Sequence, residues 1–262
     1  MKYGMLGCGQ MGGAIARGLC KATKDICVTD RSGKAAELAK ELGIKYGKPL
    51  EIAQNCDRIF LGVKPNAVAA LLESLQPVLQ DRKPLLISMA AGVEIAAIQR
   101  MVGAEIPVIR IMPNTPTAVG KGVIQYCYNE QAERFLKSWL QDMAFCGLLD
   151  PLEEKRIDAA SALSGSGPAY LYVMLEAMAD GGVACGLPRQ KALEYAAMTM
   201  AGAAEMYLQT LTHPGALKDA VCSPGGSTIA GVKALEENSF RGAVMDCVAA
   251  AYEKTMDLGK GK

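Results

Sequence analysis

The sequence predicts an α/β chain in two parts, a doubly wound parallel sheet followed by an all-helical domain. Three observations predict it. Short apolar runs alternate with helical stretches through the first half of the chain. Strand signals then stop near residue 150. The helical stretches beyond that point lack a polar face, so each must bury several sides.

Taken in order, Lys2–Leu6 is a short strand, and Met11–Thr23 is a helix that is small and apolar on one side. Ile26–Thr29 is a second strand, and Lys34–Leu42 a helix with Lys and Glu outward. Arg58–Val63 is a nearly unbroken apolar run, as expected for a strand covered on both faces. Asn66–Leu79 is the next helix, and Pro84–Ser88 the next strand. Glu94–Met101 is helical, and Val108–Met112 is a further strand. This order argues for right-handed parallel crossovers. We therefore expect one domain over 1–150 and a helical one over 151–262.

In the second part, Pro168–Ala179 and Pro188–Leu208 are helices, each opened by a proline in its first turn. Only seven of the 51 residues from Ile157 to Tyr207 are charged. A chain average of 21% would put about eleven there. So apolar a segment cannot hide its surface within a small domain, and we expect it to pack on a second copy, as a homodimer at least.

Bulk properties exclude several classes. The formal charge is +1, from 28 basic and 27 acidic side chains, with no basic patch of the kind that binds nucleic acid or a membrane surface. No secretory leader and no spanning segment of ~20 apolar residues is read. The nine cysteines are scattered without a C-x-x-C pair, which argues against a metal site and for reduced thiols in a cytoplasmic protein. The one histidine, His213, and the absence of G-x-S-x-G argue against a serine hydrolase.

Gly7-Cys8-Gly9-Gln10-Met11-Gly12 fits G-x-G-x-x-G between the first strand and first helix. There Gly7 permits the tight turn, Gly9 lets the backbone approach a pyrophosphate, and Gly12 allows close helix packing. This predicts a Rossmann-type dinucleotide site. The second strand ends in Thr29-Asp30-Arg31-Ser32. An acidic side chain at Asp30 suits a ribose diol, whereas Arg31 and Ser32 suit a 2′-phosphate. The pair favours NADP(H), with NAD(H) usable. Val63-Lys64-Pro65, Ser88–Gly92 and Met112–Pro116 end further strands on the same side. Lys64 is read either as a solvated strand-end lysine or as a direct contact, and Asn114, between two prolines, as a candidate clamp.

A second polar segment runs from His213-Pro214-Gly215 to Ser223-Pro224-Gly225-Gly226-Ser227-Thr228, ahead of a helix over Ile229–Glu237. Its glycines and hydroxyls at a helix N-terminus form a ready site for a carboxylate. His213, before a proline, is read as a loop hydrogen-bonder.

These motifs, together with Leu163-Ser164-Gly165-Ser166-Gly167-Pro168-Ala169-Tyr170 and Asp180-Gly181-Gly182-Val183, occur in the order found in pyrroline-5-carboxylate reductases. The resemblance runs from Tyr3 to about Lys254. It implies NAD(P)H-dependent reduction of 1-pyrroline-5-carboxylate to L-proline, the last step of proline biosynthesis. It also implies a C-terminal dimerisation domain, active sites completed between subunits, and dimers that often assemble into decamers. By matching position, it puts Leu6, Gly7, Cys8, Gly9, Gln10, Met11, Arg31, Ser32, Val63, Lys64, Pro65, Ala90 and Ala91 on the cofactor. The substrate carboxylate falls on Ser223, Gly225, Gly226 and Ser227, and Thr228 is the catalytic residue, bonded to the ring nitrogen. Ala220 stands where some members carry Asn. The rival enzyme class is a β-hydroxyacid or 6-phosphogluconate-type dehydrogenase, but the lysine that such enzymes use has no counterpart before Lys191. The non-enzymatic alternative is a nucleotide-sensing interaction protein, against which the polar Ser223–Thr228 loop argues.

Overall fold

The structure, a computed structural model, describes residues 1–259. The described residues divide into two compact units, residues 1–168 with 251–259, and residues 169–250.

The first unit is built on one eight-stranded sheet in the order β3-β2-β1-β4-β5-β6-β7-β8. The strands are β1 (Tyr3–Leu6), β2 (Ile26–Thr29), β3 (Lys45–Tyr46), β4 (Arg58–Leu61), β5 (Leu85–Ser88), β6 (Val108–Met112), β7 (Gly122–Tyr128) and β8 (Gly147–Pro151). The strand order reverses direction at β1, where the chain crosses to β4 on its other side, and a doubly wound sheet opens its crevice at such a point.

Side chains alternate across the sheet. Met5, Val28, Phe60, Ile87 and Ile109 face one core, which α1 (Gln10–Leu19), α2 (Lys34–Leu42) and α6 (Glu133–Met143) cover with Ile15, Leu38 and Trp139. Leu6, Cys27, Leu61, Leu86 and Val108 face the other. That core is closed by α3 (Pro49–Asn55), α4 (Pro65–Arg82) and α5 (Ile95–Val102) through Ile52, Leu72 and Ile98. Burial on both faces is why the inner strands are mostly apolar.

One strand departs from the parallel expectation. β7 runs antiparallel to β6. A single short 3₁₀ turn, Thr115–Val119, links the two, and a parallel return needs a crossover of a dozen residues or more. Arg110, fully buried in the middle of β6, binds Asp158 at 2.9 Å and Glu154 at 3.3 Å. Glu154 also accepts the Ile95 N–H at 2.8 Å. The pair thereby fastens the segment that leads into α7 (Ile157–Ala160).

The second unit is helical: α8 (Gly167–Ala184), α9 (Arg189–Thr210), α10 (Pro214–Val221), α11 (Ser227–Glu237) and α12 (Phe240–Gly259), with α8 starting and α12 ending outside it. Gly182 brings α8 against α9, since a Cβ there would press on Ala192 at 3.2 Å. Otherwise the unit has almost no core. Among its described residues only Ala179, Ala192 and Ala196 are buried, while Val173 and Met198 are each 69% exposed. Such a surface requires a cover. If a second copy provides it, folding and association are linked. The melting temperature should then fall by roughly 3 °C on hundredfold dilution, by mass action against the unfolding enthalpy of a dimer this size. A melting temperature independent of concentration would mean that the helices are covered in another way. Among the described residues, no helix is long and apolar enough to cross a membrane.

Candidate active site

The turn from β1 to α1 is shaped by two close approaches. Gly7 has φ 109°, which a side chain would strain, and a Cβ there would come within 2.6 Å of the Gly62 carbonyl at the end of β4. A Cβ on Gly12 would overlap the Gly7 carbonyl oxygen. Gly9 differs from both. It caps α1 in an ordinary extended conformation, and a Cβ there would meet nothing within 4 Å. No side chain caps that helix, so its first N–H groups face the open space beside Gly9. A backbone cradle at a helix N-terminus is the recognised setting for a pyrophosphate. The residues present therefore fit the dinucleotide that the motif implies.

That space belongs to a cleft of about 630 Å³ over the carboxyl ends of β1, β2 and β4. Of the sequence-predicted cofactor residues, Leu6, Gly7, Cys8, Gly9, Arg31, Ser32, Val63 and Lys64 line it. Gln10 lines an adjoining cleft between α1 and α2. Met11 and Pro65 sit in the first turns of α1 and α4, and Ala90 and Ala91 follow β5, with Ala90 buried. The thiol of Cys8, although within the cradle, is buried, and burial with the nearby Asp30 charge pushes it up to about 12. It is therefore a neutral packing group at physiological pH.

At the remote end, Asp30 is engaged by its own turn. Its carboxylate accepts the Ser32 hydroxyl at 2.7 Å and the Gly33 N–H at 2.9 Å. Slight burial pushes the carboxyl up, but the Ser32 hydroxyl and the N–H groups of Ala35, Gly33 and Ser32 outweigh it and hold it below its usual range. In this arrangement the acid shapes the turn, while Arg31 is exposed and lines the cleft.

Asn114 follows β6 and is committed within the fold. Its amide donates to the Ser164 carbonyl at 2.9 Å and accepts the Val123 N–H at 2.8 Å. Gln125 bonds the Ser164 hydroxyl at 3.0 Å. The Ser-Gly-Ser-Gly-Pro motif begins in a π-turn, Ser161–Gly165, which these bonds hold. Asn114 thus acts on a neighbouring loop, with both ends of its amide engaged, and this leaves little of it for a ligand clamp.

In the helical unit, His213 caps α10 by accepting the Gly215 N–H at 3.1 Å on Nδ1. Ser223-Pro224-Gly225-Gly226 is a tight turn closed by Gly226 N–H to the Ser223 carbonyl at 3.0 Å, with Gly225 at φ 70°. Proline then glycine at its centre is the type II preference. Gly226 caps α11 without a side-chain bond, and Ser227 and Thr228 form its first turn, exposed. The five residues that the resemblance assigns to substrate lie together at the N-terminus of α11.

Comparison with known proteins now bears on the chain as a whole. A family model described as pyrroline-5-carboxylate reductase dimerisation matches residues 154–258. One described as NADP oxidoreductase, coenzyme F420-dependent, matches residues 2–92. The pyrroline-5-carboxylate reductase of Escherichia coli strain K12 is 38% identical over 99% of this chain and 98% of its own length. The chain belongs to the pyrroline-5-carboxylate reductase family. The Arabidopsis thaliana member is likewise 38% identical, over 99% of this chain and 96% of its own. Among solved structures, the Plasmodium falciparum pyrroline carboxylate reductase with NADP bound aligns at TM-score 0.87 and 34% identity, covering 99% of this chain and 98% of that one. The Streptococcus pyogenes enzyme aligns at TM-score 0.84 and 32% identity, covering 100% and 99%. As a member of the pyrroline-5-carboxylate reductase family the chain is an oxidoreductase, and its dimerisation region makes it a homo-oligomer.

Sequence reasoning missed part of the cleft. Tyr46, Gly47, Lys48 and Pro49 form a wall beside Asp30 and Arg31. Their strand, β3, is two exposed residues long, too short for any periodicity to register. Only the Gly-Lys-Pro punctuation marked the spot.

Proposed function

We propose that the protein reduces the C=N bond of 1-pyrroline-5-carboxylate to give L-proline, with NADPH as the preferred reductant and NADH usable. Family membership carries this reading, and the chemistry of the cleft agrees with it. Gly7 to Met11 would hold the pyrophosphate, Arg31 the 2′-phosphate together with Ser32 once its hydroxyl turns from Asp30, and Val63, Lys64, Pro65, Ala90 and Ala91 the nicotinamide half. The bound nicotinamide supplies hydride, and the protein supplies orientation and charge.

In the helical unit, the turn from Ser223 to Ser227 would take the substrate carboxylate on its N–H groups and hydroxyls. Thr228 would hold the ring nitrogen. Hydride added at the imine carbon leaves the electron pair on nitrogen, and the proton that completes the amine comes from solution. Thr228 need only orient that nitrogen, which suits a hydroxyl that does not ionise in the working range.

We further place the domain division near residue 150, with 1–150 binding the dinucleotide and 151–262 serving dimerisation and substrate. The same reading takes the dimer as the minimal unit, a decamer as its higher assembly, and the cytoplasm as its location. The deciding assay follows NADPH absorbance on adding 1-pyrroline-5-carboxylate, against a 3-hydroxy acid with NADP⁺ as the counter-assay. Imine-dependent oxidation is expected. Activity in the counter-assay alone would move the chain to the hydroxyacid dehydrogenases.

A further inference from the structure

The remote end of the cleft carries more positive charge than Arg31 supplies. β2 and β3 run parallel, with Val28 opposite Tyr46, and the Gly47 N–H donates to the Val28 carbonyl at 3.1 Å. The chain therefore leaves β3 as Gly47-Lys48 beside the Asp30-Arg31-Ser32 turn. Close packing fixes that exit, since a Cβ on Gly47 would sit 2.9 Å from the Cys27 sulfur. Lys48 is anchored through its backbone, whose N–H donates to the Glu51 carboxylate at 2.9 Å before Pro49 opens α3. Its side chain is exposed and lines the cleft, as does that of Arg31.

Neither carboxylate at this end holds a cation: Glu51 accepts the Lys48 N–H, and Asp30 accepts donors of its own turn. Asp30 is the one acidic side chain among the described residues that line the cleft, and Ser32 and Gly33 already occupy it. Thirteen ion pairs form among the described residues, and neither Arg31 nor Lys48 takes part in any. Two cations outside any ion pair and facing one concave wall suit a dianion, whereas a ribose diol would gain little from either.

We infer that Lys48 is a second cation for the 2′-phosphate and, with Arg31, sets the preference for the 2′-phosphorylated dinucleotide. This rests on the cofactor reading above. Loss of one charge-assisted contact at a partly exposed site should cost about tenfold in affinity. The test is fluorescence titration of full-length wild type, Lys48→Gln and Lys48→Arg with NADPH and with NADH. The ratio of NADH to NADPH dissociation constants should fall about tenfold in Lys48→Gln and stay within about twofold of wild type in Lys48→Arg. An unchanged ratio in Lys48→Gln, or equal weakening of both cofactors, would overturn the inference. Failure of the wild type to bind either cofactor would instead sink the cofactor reading, and this inference with it.

Discussion

Gly9→Val should abolish working affinity for NADPH while leaving a folded protein. The side chain would enter the open space beside the turn, where nothing of the chain lies within 4 Å. Folding loses little. Gly9 has φ −67°, so no left-handed strain arises, and an apolar branched residue at a helix N-cap costs about 1 kcal/mol. That lowers the melting temperature by roughly 2–4 °C. Binding should lose on the order of a hundredfold, because under the proposed reading the pyrophosphate lies where the valine would stand. Gly12→Val makes the contrast. Its Cβ would overlap the Gly7 carbonyl oxygen, a backbone atom that cannot swing away. Overpacking of that kind costs about 3 kcal/mol or more and should show first as lost stability. Titration with NADPH beside thermal melts separates the two. If Gly9→Val bound NADPH normally, the cradle would not be the pyrophosphate site.

The contrast also shows which parts of the molecule are legible in a single sequence. β1, β2, β4, β5 and β6 lie buried on both faces, so each is short and mostly apolar, β6 around its paired Arg110, and each is readable as a strand. The glycine spacing of the first turn is readable because two steric demands of the chain, at Gly7 and Gly12, and one of the proposed pyrophosphate, at Gly9, fall on fixed positions. β3 escapes because two exposed residues carry no pattern, and with it escapes the wall that holds Lys48. β7 and β8 lie beyond the βα alternation, and the reversal at β7 is decided by a loop length that no apolar pattern records. The role of Asp30 is out of reach for a different reason. Whether a carboxylate faces a ribose or folds back on Ser32 and Gly33 depends on a side-chain torsion, and the residue type is the same in both cases. The helical domain is legible through a deficit, the shortage of charge from Ile157 to Tyr207, which reappears as an exposed apolar surface in the single chain.

Thr228→Ala should make the protein slightly more stable and much less active, and the opposite signs make the result hard to mistake. Thr228 lies exposed in the first turn of α11, and its hydroxyl makes no hydrogen bond among the described residues. Nothing in the chain's own packing therefore rewards the threonine. Alanine is the better helix former by about half a kcal/mol, so the melting temperature should hold or rise by roughly 1–2 °C. Turnover should fall ten- to a hundredfold, roughly the effect of removing one oriented hydrogen-bonding group from a reacting centre. NADPH affinity should stay within about twofold, because the cofactor residues lie elsewhere in the chain. Thr228→Ser keeps the hydroxyl and should recover most of the rate. If the alanine variant turned over normally, the ring nitrogen would need no help from this residue, and the turn from Ser223 to Ser227 would carry the substrate alone. If Thr228→Ala lost stability along with activity, the hydroxyl would serve the assembled protein's structure, and the case for a role at the nitrogen would fail.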